Sequence, residues 1–226
     1  MTRLLLTGGL VAALVLAARA DDAKRAESKS DDGFVQLFNG KDLTNWKGHP
    51  DNKTKWFVED GAITGSGSAG HLFSERGDYE NMVFRIEAKI NDGGNSGQYI
   101  RAKFQKGFPP GYEAQINATH GDPVKTGSLY PAFLKDRRES REFREKYCVL
   151  NKPPAGAGPN EWFTQEVTAE GNHIVIKVNG VVTVDYRDPH NTFTKGHFAI
   201  QHHDPTCKIM VRKAEVKELP AGGKAD

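Results

Sequence analysis

NMVFRIEAKI, residues 81–90, alternates without a break. Met82, Phe84, Ile86, Ala88 and Ile90 share one parity, and Val83, Arg85, Glu87 and Lys89 share the other. Side chains along a strand point to opposite faces in turn, so this stretch predicts a strand with one apolar and one polar face. The segments around it read the same way. FVQLF (34–38) ends at Asn39-Gly40, and KWFVED (55–60) ends at Asp60-Gly61 with AIT following at once. HLFSE (71–75), QYIRAKF (98–104), GYEAQIN (111–117) and EWFTQEVTAE (161–170) continue the series. NHIVIKVNGVVTVDY (172–186) is divided by Asn179-Gly180, a strong hairpin pair. HFAIQHH (197–203) and CKIMVRKAEVKEL (207–219) close it. Roughly ten short strands separated by Gly, Asp and Asn turns predict an all-β fold, an antiparallel β-sandwich or jelly roll.

One segment departs from that style. Residues 131–160 are first charged and then rich in Pro and Gly. KDRRESREFREK (135–146) is expected to form a short, charged helix, and PPAGAGP (153–159) a loop, so the segment reads as a surface insertion.

The amino-terminal end has its own layout. Arg3 precedes an apolar run from Leu4 to Ala18, and Ala18-Arg19-Ala20 matches an A-x-A cleavage pattern. This is the arrangement of a secretory signal peptide over 1–20, and the run is shorter than the about 20 apolar residues of a membrane span. Residues 21–33 read as a flexible leader, 34–219 as the folded domain and 220–226 as a tail. The expectation is an exported protein, periplasmic or extracellular, with no membrane segment after cleavage. Loss of residues 1–20 removes Arg3 and Arg19 and leaves 29 basic against 29 acidic side chains. No basic field remains to gather nucleic acid. Cys148 and Cys207 are the only cysteines, and an oxidising compartment permits but does not require a bridge between them.

No phosphate-binding loop, HExxH or GxSxG occurs. What stands out is a polar set spread over strands. Tyr99 and Arg101 share a parity after the glycine-rich entry GGNSG (93–97), and Glu113, Gln115 and Asn117 share one on the next run. Because the connection between them is short, the two runs are expected to pair, with an Arg101–Glu113 ion pair on a common face. That face is either wet surface or the floor of a site. In HFAIQHH, Gln201 and His203 share the parity opposite to His202. Glu113, His203, His71 and His120 are candidate ligands for a divalent metal, although their spacing fits no local metal motif.

An ordered set of stretches then carries a resemblance. LFNGKDLTNWKG (37–48), GGNSGQYIR (93–101), PPGYEAQIN (109–117), TGSLY (126–130), KPPAGAGPNEW (152–162), VNGVVTVDY (178–186) and GHFAIQHHDPTCKIMVRKAEVKEL (196–219) resemble the 3-keto-disaccharide hydrolase family. The resemblance implies a concanavalin-like jelly roll related to lectins and glucanases, and exported proteins acting on 3-keto sugars. The chain departs from the family pattern at Trp162-Phe163, at Lys213 and in the charged insertion at 134–147. A ketone at C3 acidifies the C2 proton, so the C1 substituent can leave by elimination and water can add back. That chemistry needs a base, a group to stabilise the enolate and an acid. The expected assignments are Glu113 as base or metal ligand, Arg101 at the enolate, and His203 as acid or ligand. Glu87 is a reserve carboxylate. Tyr99, Gln115, Asn117 and Gln201 would bind hydroxyls, and Tyr130 or Trp162 would supply an aromatic platform. The alternative is a carbohydrate-binding module without chemistry, because such folds host both.

Overall fold

A computed structural model describes residues 32–220. The expected signal segment, most of the leader and nearly all of the tail lie outside this range.

Among the described residues there are thirteen strands. They are β1 (Val35–Gln36), β2 (Trp46–Gly48), β3 (Lys55–Glu59), β4 (Ala62–Ser66), β5 (Gly70–Ser74), β6 (Met82–Ile90), β7 (Ser96–Ala102), β8 (Tyr112–Ile116), β9 (Phe163–Glu170), β10 (His173–Val178), β11 (Val181–Arg187), β12 (His197–His202) and β13 (Ile209–Glu218). The larger sheet runs β11-β10-β9-β6-β13-β4-β3, with β1 added to β13, and the smaller runs β2-β5-β12-β7-β8. All ladders are antiparallel, and the fold is a β-sandwich. The β3–β4 and β10–β11 turns place Asp60-Gly61 and Asn179-Gly180 at positive φ, the geometry that matches the twist of a tight hairpin.

Parity in β6 is kept as the alternation predicts: Met82, Phe84, Ile86, Ala88 and Ile90 are fully buried. Phe84 stacks on Phe198 of the opposite sheet at 4.1 Å between ring centroids. In the smaller sheet Ile100, Tyr112, Ala114, Ile116, Phe198 and Ile200 complete the inter-sheet core. The other face of that sheet carries a second, smaller cluster of Phe73, Tyr99, Ala102 and Ala199. The smaller sheet is therefore covered on both sides, and its outer face is where the polar set gathers.

The insertion contains one α-helix, α1 (Arg137–Tyr147), after a single 3-10 turn at Pro131–Phe133. Asp136 caps it by accepting from the backbone N–H of Arg138 and Glu139 at 2.8 and 2.9 Å. Phe143 packs edge-on against Tyr186 of β11, which ties the helix to the larger sheet. Cys148 and Cys207 are separate thiols, and burial pushes their pKa values up to about 12 and 11.

Candidate functional site

β7 and β8 pair with Tyr99 opposite Glu113 and Gly97 opposite Gln115. β12 lies on the other side of β7, with Ala199 opposite Tyr99. Outward parity on these three strands brings Tyr99, Glu113, Gln115 and Gln201 to one floor. Above it is a cavity of about 630 Å³, also lined by Asn95, Phe108, His120, Asp122, Tyr130 and His203. The segment after β8 folds back along its edge: Gln115 N–H donates to Ser128 O, and Tyr130 N–H to Glu113 O. This closes the edge strand and delivers Tyr130 to the cavity wall.

Glu113 is the centre of the floor. The Tyr99 hydroxyl donates to its Oε2 at 2.7 Å, and the Gln201 amide NH2 donates to the Tyr99 oxygen at 3.2 Å. A carboxylate only accepts, so the chain of donation runs from Gln201 to Tyr99 to Glu113 and fixes the Gln201 amide orientation. Burial pushes the Glu113 carboxyl up to about 7; the Tyr99 hydrogen bond opposes that shift, and the nearby Asp122 charge adds to it. Glu113 lies over Gly97: a Cβ there would meet its Oε1 at 2.3 Å. The last glycine of GGNSG is thus the seat of the carboxylate.

The remaining polar atoms on the floor point to a ligand. Asn95 Oδ1, Gln115 Oε1 and Gln201 Oε1 are buried acceptors with no protein partner among the described residues. A buried polar group left without a partner costs on the order of 1–3 kcal/mol, so three in one cavity ask for a donor-rich occupant. His120 fixes the Asn95 amide. Its Nδ1 accepts the Asp122 backbone N–H at 3.1 Å, and the Asn95 amide NH2 approaches the same atom at 3.3 Å. Neutral His120 therefore carries its proton on Nε2. His203 has the opposite tautomer, because its Nδ1 sits 2.9 Å from Asp204 Oδ2 and the carboxylate can only accept.

Four expected catalytic or sugar-binding residues do not line the cavity. Arg101 has φ 51°, a left-handed turn of the chain that breaks the strand's alternation. Its guanidinium donates to Glu80 O, Gly171 O and Phe193 O at 2.7–2.9 Å. The expected ion pair with Glu113 does not form, and Arg101 pins three loops instead of facing the cavity. Glu87 and Trp162 belong to the outer face of the larger sheet, where Arg212 pairs with Glu87 and lies 4.4 Å from the Trp162 ring. Asn117 keeps the expected parity but is fully buried, and its amide holds the following turn through Asp122 O and Val124 O at 3.0 and 2.8 Å. Arg101→Met should cost on the order of 3 kcal/mol or more in a urea titration, because buried carbonyls lose their donor. A loss below about 1 kcal/mol, the net worth of one ordinary hydrogen bond, would refute that clamp.

The match to known proteins agrees with this layout. The model of the 3-keto-alpha-glucoside-1,2-lyase-like domain covers residues 33–217. The chain belongs to that family. A 3-keto-disaccharide hydrolase of Bacteroides thetaiotaomicron is 27% identical over 182 residues, which is 69% of this chain and 59% of that protein. A Parabacteroides distasonis protein described as a candidate glycosyl hydrolase superposes with a TM-score of 0.63 at 22% identity, over 85% of this chain and 97% of its own. A carbohydrate binding module of Bacillus subtilis superposes at 0.57 with 15% identity, over 77% of this chain and 96% of its own. These two likenesses concern the fold. Among the described residues no helix is long and apolar enough to cross a membrane.

In this lyase-like domain, His120, His203 and Asp204 bring potential ligand atoms within 4.8 Å of one another. His120 and His203 were expected among metal candidates, and Asp204 was not. Glu113 and His71 lie outside this trio. His71 packs edge-on against Tyr99 at 5.0 Å, and burial lowers its pKa to about 3. The trio fits a divalent ion only in part. His203 Nε2 is free to ligate, but His120 Nδ1 already holds a backbone N–H and its Nε2 is protonated. Loading a metal through His120 Nε2 requires giving up that contact. Asn95, Asp122 and Asp204 were missed in sequence because each sits in a turn whose position is set by long-range packing.

Proposed function

We propose that this protein cleaves the glycosidic bond of 3-keto-glycosides by elimination followed by hydration. The observation that carries the reading is Glu113: a carboxyl in the cavity floor, desolvated to a pKa of about 7, held by one hydrogen bond from Tyr99. A base with that pKa is half ionised at neutral pH and strong enough to take an activated C–H proton. Glu113 takes the C2 proton, the C2–H electron pair forms the enolate, and the C1–O bond breaks. The leaving oxygen takes a proton from water, that water's hydroxyl adds at C1, and Glu113 returns its proton to C2, which gives the free 3-keto sugar.

Other residues follow from their hydrogen bonds. His120, with its proton on Nε2, donates to the enolate oxygen in place of Arg101. His203, held by Asp204 with its Nε2 unprotonated, orients the water that serves the leaving oxygen by accepting one of its O–H groups. Asn95 Oδ1, Gln115 Oε1 and Gln201 Oε1 accept from sugar hydroxyls. The family assignment and the Bacteroides 3-keto-disaccharide hydrolase support the 3-keto substrate class. The signal-like layout of residues 1–20 supports action outside the cytoplasm.

Incubation of the protein with a 3-keto-disaccharide, with and without chelator, tests this. Released monosaccharide is expected in both arms. Binding of the disaccharide without release in either arm would replace the lyase with a sugar-binding module, a reading the three unpartnered acceptors also support.

A further inference from the structure

The cavity is divided by chemistry. Its floor is polar, whereas its mouth, the less buried part of its lining, includes Phe108, Pro110, Phe133 and Phe193 together with Lys135 and Thr192. Phe108 is 61% exposed, more than any other aromatic side chain among the described residues. Its position is built. The loop that carries it is closed at the base by Lys103 N–H donating to Pro110 O at 2.9 Å, and Gly107 makes the turn at φ 77°. The ring stands 5.9 Å from His71 and 6.1 Å from His203, so one side is braced and the other is open.

The unpartnered acceptors and Glu113 draw the hydroxyl-bearing ring of a glycoside inward, and the leaving group then lies along the mouth. Beside Lys135 and Thr192, the apolar side chains Phe108, Pro110, Phe133 and Phe193 offer neither donor nor acceptor to a second sugar's hydroxyls. They do offer flat hydrophobic surface, with one exposed ring for stacking. We propose that the mouth is a leaving-group subsite for a flat aromatic group, so that aryl glycosides are the preferred substrate class. This rests on the reading of the floor as a glycoside site.

Binding of unoxidised phenyl and methyl α-glucosides to the full chain, measured by calorimetry, tests the subsite without turnover. The phenyl compound should bind about tenfold tighter, a ratio that equals about 1.4 kcal/mol. Phe108→Ala should reduce the preference to within about twofold, and an exposed side chain can be removed without cost to folding. Equal affinities in the parent protein, a preference untouched by Phe108→Ala, or no binding of either glucoside would each overturn the subsite. A phenyl preference with no cleavage of 3-keto-glycosides would retire the lyase and leave the subsite standing.

Discussion

Glu113→Gln should lower turnover of a 3-keto-glycoside by about 10²–10⁴-fold, the usual contribution of a positioned proton-transfer group, while leaving affinity within a few-fold. The amide still accepts from Tyr99, so the floor keeps its shape. The same substitution should stabilise the protein at neutral pH. The carboxyl's ordinary value is 4.5 and its folded value is about 7. Below 4.5 both folded and unfolded chains hold the proton, and the group has no effect on stability. Between the two values the unfolded chain ionises first, so the native state loses ground as pH rises; above about 7 the loss is constant. The full loss is on the order of 3 kcal/mol, from 1.36 kcal/mol per pKa unit. Thermal melts should therefore coincide at about pH 4 and separate in favour of E113Q at about pH 8. The rate of the parent protein should rise through about pH 7, as the base loses its proton. Coincident melts at both pH values would show that Glu113 is not desolvated, and undiminished turnover would remove it from the chemistry.

Gly97→Ala should be nearly as damaging to turnover. The new methyl would lie 2.3 Å from Glu113 Oε1 and 2.9 Å from its Cδ and Cγ, so the carboxylate must leave its seat. Forcing a methyl into a filled space costs about 1–3 kcal/mol of stability. A misplacement of about 1 Å costs on the order of 10²-fold in rate. A general loss of folding would lower activity without moving its pH dependence. Displacement of Glu113 toward solvent would shift the rate profile down toward the ordinary value of 4.5. Normal turnover with an unmoved profile would mean that the carboxylate is not seated on Gly97.

How much of this was legible in residues alone differs from strand to strand. The alternation in β6 and the Asn179-Gly180 turn are local, and the structure keeps both. Tyr99, Glu113, Gln115 and Gln201 were legible as a common face, because parity survives pairing. Parity does not say which sheet a strand joins, and so Glu87 and Trp162 read as equal candidates although they stand on the opposite outer face. Arg101 failed for another reason. Its positive φ occurs where Gly196 passes close to its carbonyl, so that a Cβ at Gly196 would lie 2.4 Å from Arg101 C, and no local signal announces that contact. Strand β2 was missed because three residues carry too little pattern.

The two-sided smaller sheet has a consequence for descent. Tyr112, Ala114 and Ile116 anchor the core, while Glu113 and Gln115 between them face the cavity. Inherited changes at the odd-numbered positions can alter what the protein recognises, while the even-numbered ones go on specifying the same scaffold. Lineages can therefore drift from one ligand to another by rewriting alternate letters of a single strand.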